Sequence, residues 1–214
     1  MCEFDRPPSR RLFGAGLLGM GLVAAGAGHA LAQAGAAMTP ESPMGPFYPV
    51  QRPGDDDADL VWVKGKSQKA SGSVIEVSGR VLDSKGRPID GAVLELWQAN
   101  AVGRYDHPND IATAPLDPNF QGYAKLRTGP SGEWRITTIK PAAYDSPIGR
   151  RTPHIHFDVS GRAHRLPAQM YFSDDAAQNA TDPLYKDLGP FGPRSVATLA
   201  TPGKYRWDVV LMDS

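Results

Sequence analysis

From Val74 onward the chain is cut into short apolar or alternating segments, each closed by a turn rich in Gly, Pro or Asp. "VIEVSGRVLD" alternates apolar and polar residues, "SKGRP" interrupts it, and "GAVLELWQAN" resumes. "GYAKLRT", the turn "GPSG", "EWRITTIK", "HIHFDVSG", "AQMYFSDD" and "KYRWDVVLM" follow. A period of two sends successive side chains to opposite faces of a strand, whereas an amphipathic helix needs a period near 3.6 that is missing here. The 23 glycines and 20 prolines among 214 residues leave long helices few places to run. The pattern predicts an all-β chain, a single β-sandwich or barrel-like domain over residues 74–214. At most a short helical turn is expected near residues 174–180. No internal repeat or second domain is evident.

The two preceding segments have different textures. Residues 1–32 carry Arg10 and Arg11 after Ser9, then a weakly apolar Gly/Ala/Leu run ending in Ala30-Leu31-Ala32. Paired arginines, a modest apolar stretch and a small-x-small end predict a cleaved twin-arginine signal, and so a periplasmic or secreted protein. The run is too rich in glycine for a membrane span, which wants about 20 strongly apolar residues, so no membrane association is expected of the mature form. Residues 33–73, containing "AGAAMTPESPMGPFYPVQRPGDDDADL", read as an irregular N-terminal arm. Its run Asp55-Asp56-Asp57 is expected to be a solvated turn.

Removing residues 1–32 takes three of 23 basic and two of 23 acidic residues, leaving 20 against 21. A chain so nearly neutral does not ask for nucleic acid. The one cysteine, Cys2, lies in the signal, which excludes a disulfide framework, thiolate metal ligands and a cysteine nucleophile from the rest.

"RTPHIHFD" places His154 and His156 two residues apart within strand-like sequence. On a strand they share one face while Ile155 and Phe157 turn to the core. On spacing alone, two hydrogen-bonded imidazoles are as good a reading as a metal site. A metal would also need further ligands. His107 and His164 are the other histidines of residues 33–214, and with them a zinc or copper site is an alternative. Tyr105 in "NAVGRYDHP" and Tyr144 in "TIKPAAY" are oxygen-donor candidates, both expected in loops at strand ends, although a single tyrosine is more often a packed ring.

Several spaced blocks agree with one family. "VSGRVLDSKGRPIDGAVLELWQANAVGRY", "LDPNFQGYAKLRT", "TIKPAAY", "RTPHIHF", "AQMYF" and "YRWDVVL" occur in the order of the non-haem iron(III) intradiol ring-cleaving dioxygenases. The chain resembles most the protocatechuate 3,4-dioxygenase group, and "TPESPMGPFYP" is similar to that family's N-terminal arm. The resemblance covers residues 39–214.

It implies that Tyr105, Tyr144, His154 and His156 bind Fe(III), that Arg151 is the active-site arginine, and that Gln169 lines the substrate pocket. Gly45 and Pro46 match a Gly-Pro bordering that pocket. Ferric iron is a hard cation suited to anionic oxygen donors, whereas a ferrous site would pair two histidines with a carboxylate. By the resemblance, a catechol-type substrate displaces Tyr144, which takes a substrate proton. Arg151 places positive charge against the carbon that dioxygen attacks. The expected product is a cis,cis-muconate-type diacid of aromatic catabolism. A salt bridge from Arg151 to Asp158 or Asp145 is the purely structural alternative for that residue, and a non-catalytic β-sandwich ligand binder is the alternative for the whole chain. "DSPIG" between Tyr144 and Arg151 is shorter than the corresponding family loop, which bears on substrate choice. Because one chain carries both arm and ligands, a homo-oligomer is open, with the arm on its own site or a neighbour's.

Overall fold

Strand β1 (Val74–Leu82) carries the alternation into structure: Ile75, Val77 and Val81 are buried, and Glu76, Ser78 and Arg80 between them are not. A computed structural model describes residues 36–213 apart from Pro53. The signal expected at residues 1–32 lies outside the described residues. Among the described residues no helix is long and apolar enough to cross a membrane.

After β1 come β2 (Val93–Trp97), β3 (Tyr123–Arg127), β4 (Glu133–Ile139), β5 (Tyr144–Ser146), β6 (Gly149–Arg151), β7 (His154–Ser160) and β8 (Arg165–Phe172). Short helices α1 (Ala176–Asn179) and α2 (Pro183–Asp187) and the 3-10 turns Ser173–Asp175 and Gly189–Ser195 separate β8 from β9 (Val196–Thr201), β10 (Lys204–Arg206) and β11 (Val209–Val210). Nine strands pair in the order β11-β1-β10-β9-β8-β7-β2-β3, with β4 on the free side of β1, and β5 and β6 form a separate hairpin. This nearly closed, barrel-like sheet wraps one core, in which Leu94, Leu96, Ile155, Phe157 and Met170 meet Val77, Ile136 and Trp207. Phe157 is fully enclosed, so truncating it to alanine would cost about 3–5 kcal/mol.

Three features depart from the sequence expectations. "KYRWDVVLM" forms two strands, because Asp208 Oδ1 accepts the Arg80 N–H and so replaces a backbone partner between β10 and β11. Gly79 permits the break, since a Cβ there would overlap the Trp207 carbonyl. Strand β9 and helix α2 were not foreseen: β9 pairs over only part of its length with β8, and α2 is too short for a period to register. The start of α2 is nonetheless a capped one, with Asp182 at the N-cap and Pro183 at the first helical position. The described residues of 36–73 contain no helix or strand, and the segment around Ser42 is fastened to the sheet by Ser42 N–H donating to Pro167 O at 2.9 Å.

Candidate metal centre

Alternation along β7 divides its side chains between two environments. Ile155, Phe157 and Val159 enter the core, and His154, His156 and Asp158 turn to the other face. Register with β2, β3 and β8 then lines up Tyr123, Trp97, His156 and Gln169 as one cross-strand row. The His156 ring stacks on Trp97 with centroids 5.0 Å apart and planes 5° from parallel. His154 has Tyr171 as its cross-strand partner.

The two imidazoles are fixed with their Nε2 atoms 3.1 Å apart. His154 Nδ1 lies 2.6 Å from Thr152 O. A carbonyl can only accept, so Nδ1 carries the proton and the Nε2 lone pair is left facing His156. Burial, reinforced by the Arg151 charge, lowers the His154 pKa to about 3. Burial, then His154 and Arg151, also drive His156 well below the ordinary value. Both rings are therefore neutral near pH 7, the form that binds a metal.

Two phenols join them from different loops. Tyr144 Oη is 3.5 Å from His154 Nε2. Tyr105 is 3% exposed, packs edge-on to Tyr144 with centroids 5.4 Å apart, and its hydroxyl meets no hydrogen-bond partner among the described residues. The backbone around Tyr105 is held by side chains: Asn100 Oδ1 accepts from Val102 N and Arg104 N, and Asp110 Oδ2 accepts from Tyr105 N at 2.7 Å. Gly103, at φ +78°, lets this loop press on the next, since a Cβ would stand 2.8 Å from Ala143 O and 3.1 Å from Tyr144 Cβ. Burial raises both phenol pKa values; the neighbouring Tyr144 adds to the effect on Tyr105, while the Arg151 charge opposes it at Tyr144. Without a cation both stay protonated, and a bound multivalent cation would reverse that preference.

Tyr144 opens β5 instead of lying in a loop, and its cross-strand partner across the hairpin is Arg151. Arg151, 4% exposed, donates from Nε to Asp182 Oδ2 at 2.9 Å and from Nη2 to Gln169 Oε1. The suggested pairings with Asp158 and Asp145 are corrected: Arg165 takes Asp158 and Arg150 takes Asp145. Asp182 comes from a distant helix cap, which is why proximity in sequence pointed to the wrong acids.

The arm reaches the same place in this chain. Gln169 Nε2 donates to Pro43 O at 2.8 Å, and Gly45, at φ +72°, lies so close that a Cβ would be 3.2 Å from His156 Cε1. Pro46 lies one step further out, its carbonyl accepting from Asn109 Nδ2 at 3.4 Å. Phe47 stacks on Tyr105 at 4.5 Å. Tyr48 Oη donates to Glu95 Oε2 at 2.6 Å, and Arg52 and Lys125 pair with the same carboxylate. Phe47, Trp97 and Asp182 were not singled out from sequence; the eight-residue step from Trp97 to Tyr105 carries no periodic signal.

The other described histidines, His107 and His164, do not join the pair. His107 Nδ1 accepts from Asn109 N and His164 Nδ1 from Met212 N. Among the described residues no group of three or more His, Cys, Asp or Glu could hold a metal, so the histidine-only zinc or copper arrangement is not assembled. A metal at His154 and His156 has to draw on the phenols. The partnerless Tyr105 hydroxyl and the converging Nε2 atoms fit a hard cation that accepts phenolate together with imidazole.

Fold and site together define a β-sheet protein whose candidate centre pairs two imidazoles with two phenols. Residues 44–211 match the family model described as Dioxygenase. The chain belongs to the intradiol dioxygenase family. It is 42% identical over 146 residues to the protocatechuate 3,4-dioxygenase beta chain of Burkholderia cepacia, covering 66% of this chain and 62% of that one. The match to the alpha chain from the same organism is 30% over 185 residues, 80% of this chain and 90% of the relative. The chain thus spans slightly under two thirds of the beta chain and most of the alpha chain. Among solved structures, the dioxygenase domain of a dioxygenase carbohydrate-binding protein fusion from Streptomyces sp. SirexAA-E is similar. It superposes with a TM-score of 0.63 at 27% identity over 83% of this chain and 100% of that chain.

Proposed function

We propose that the protein is an Fe(III)-dependent intradiol dioxygenase. It would cleave a catechol-type ring between its two hydroxylated carbons, with both atoms of O2 entering a cis,cis-muconate-type diacid, in the catabolism of aromatic compounds. The observation that carries this reading is the pair of neutral imidazoles with Nε2 atoms 3.1 Å apart, beside a buried phenol whose hydroxyl has no hydrogen-bond partner among the described residues.

Tyr105, Tyr144, His154 and His156 would hold the iron. Two phenolates offset most of its charge, two neutral imidazoles complete the protein's donor set, and bound ferric iron supplies the electrophilic chemistry that makes a catechol dianion react with dioxygen. The rest falls to the chain. Tyr144 stands half-buried on a short separate hairpin while Tyr105 is enclosed, and is the phenol that would swing out and accept a substrate proton at Oη. Arg151 keeps a fixed positive charge beside it, in position to stabilise negative charge as it develops on the substrate. Gln169 and the Gly45–Pro46 arm close the pocket and exclude water. Export through the twin-arginine route, with the iron loaded before export, is part of the proposal, as is assembly into a homo-oligomer.

Natively expressed protein should be burgundy from phenolate-to-iron charge transfer and carry one iron per chain. Oxygen uptake over a panel of substituted catechols, with products identified by mass, tests the activity. Colourless, iron-free protein that opens no catechol would refute the proposal.

A further inference from the structure

Arg151 is a buried charged group, and the carboxylate that pairs with it comes from far along the chain. Asp182 is 0% exposed. Its oxygens divide between two structures. Oδ2 accepts from Arg151 Nε at 2.9 Å and from Thr152 N at 2.9 Å. Oδ1 accepts from Leu184 N at 2.9 Å and Tyr185 N at 3.1 Å in the first turn of α2. One side chain therefore fastens the start of α2 to the end of β6.

The consequences for the site run in two directions. Thr152, held through its N–H, is the residue whose carbonyl orients His154. Arg151 is held at Nε by Asp182 and at Nη2 by Gln169, which passes the connection on to the arm at Pro43. A guanidinium is a rigid planar fork, so two separate acceptors fix its rotation. Among the described residues Nη1 makes no hydrogen bond, and Tyr144 is the cross-strand partner of Arg151.

We propose that Asp182 is a positioning residue for this centre, acting through Arg151 to fix the orientation of its positive charge. The inference rests on the reading of Arg151 given above. It differs from a purely structural role, in which Asp182 would serve only to cap α2.

The two roles separate in a double-variant comparison on the full, iron-loaded protein. Asp182→Asn keeps a side-chain oxygen for the cap and removes the charge. With a positioning role, kcat/KM for a catechol, taken per bound iron, falls about 10–100-fold while the burgundy band keeps its position. Compared per bound iron, Arg151→Gln combined with Asp182→Asn is then no worse than Arg151→Gln alone, because the carboxylate has no guanidinium left to orient. Losses that multiply, or an Asp182→Asn variant within about twofold of wild type, would overturn the inference. Should Asp182→Asn alone fail to fold, recovery of folding in the double variant supports a carboxylate kept for Arg151, and a double variant that also fails assigns it to the cap. Wild-type protein without iron or ring opening sinks the reading of the site; active wild type with multiplying losses sinks this inference alone.

Discussion

Gly45→Ala tests how the arm closes the site. At φ +72° the glycine is in the left-handed region, where an added Cβ costs about 1–2 kcal/mol. That Cβ would also lie 3.2 Å from His156 Cε1, inside the ordinary carbon–carbon separation of about 3.5–4.0 Å. The imidazole has little room to retreat, since its ring is stacked on Trp97, itself 1% exposed. The arm must give way instead, putting the Gln169 Nε2 to Pro43 O bond at risk for a further ~0.5–1.5 kcal/mol. A combined effect of about 1.5–3.5 kcal/mol raises the population of released arm at least about tenfold, tenfold per 1.4 kcal/mol. Because residues near 42–52 can open without the sheet unfolding, the effect should appear locally. Amide exchange at Ser42, whose N–H is bonded to Pro167 O, should quicken by that factor, with KM for a catechol rising and the thermal midpoint falling by only a few degrees. Gly129→Ala is the control, since nothing lies within 4 Å of its Cβ position and its φ is not positive. Unchanged exchange at Ser42 in Gly45→Ala would refute the argument, and lost iron with a protected arm would show that His156 moved instead.

Tyr105→Phe removes a hydroxyl that has no hydrogen-bond partner among the described residues, so the metal-free fold should lose less than about 1 kcal/mol. Iron retention and the visible band should drop sharply, and an unchanged spectrum on titration with iron would exclude Tyr105 as a ligand. At Glu95, burial works against ionisation, but the Lys125 and Tyr48 hydrogen bonds and the Lys125 and Arg52 charges outweigh it and lower the pKa to about 2. Folded pKa below unfolded pKa means the contribution to arm docking is complete above the ordinary value of 4.5 and is lost as pH falls through about 2. Proteolysis of the arm should therefore accelerate across that window, and Glu95→Gln should remove the dependence; equal slopes in both proteins would sink the assignment.

How much of this was legible in sequence depends on the range over which each feature is set. The period of two in "HIHFDVSG" assigned His154 and His156 to one face and Ile155 and Phe157 to the other, and β7 has that arrangement. Likewise "EWRITTIK" and "VIEVSGRVLD" became β4 and β1, because alternation is a local property of the pleated backbone. Arg151 and Gln169 were reached through resemblance, which also turned Tyr105 and Tyr144 from donor candidates into expected ligands, since a local period marks a face and not a side chain's role. The structure brings all four within one aromatic and polar neighbourhood.

The partner of Arg151 could not be reached that way. Asp145 and Asp158 are near it in sequence, yet each is taken by another arginine, while Asp182 arrives from a helix cap 31 residues on. Sequence by itself determined the strand periodicity, the turns and which histidines share a face, because those follow from the geometry of consecutive residues. Only the tertiary structure decided which acid neutralises the buried arginine, which ring stacks on His156 and where the arm closes. Those contacts depend on the path of the whole chain, which alone determines what stands opposite a given side chain.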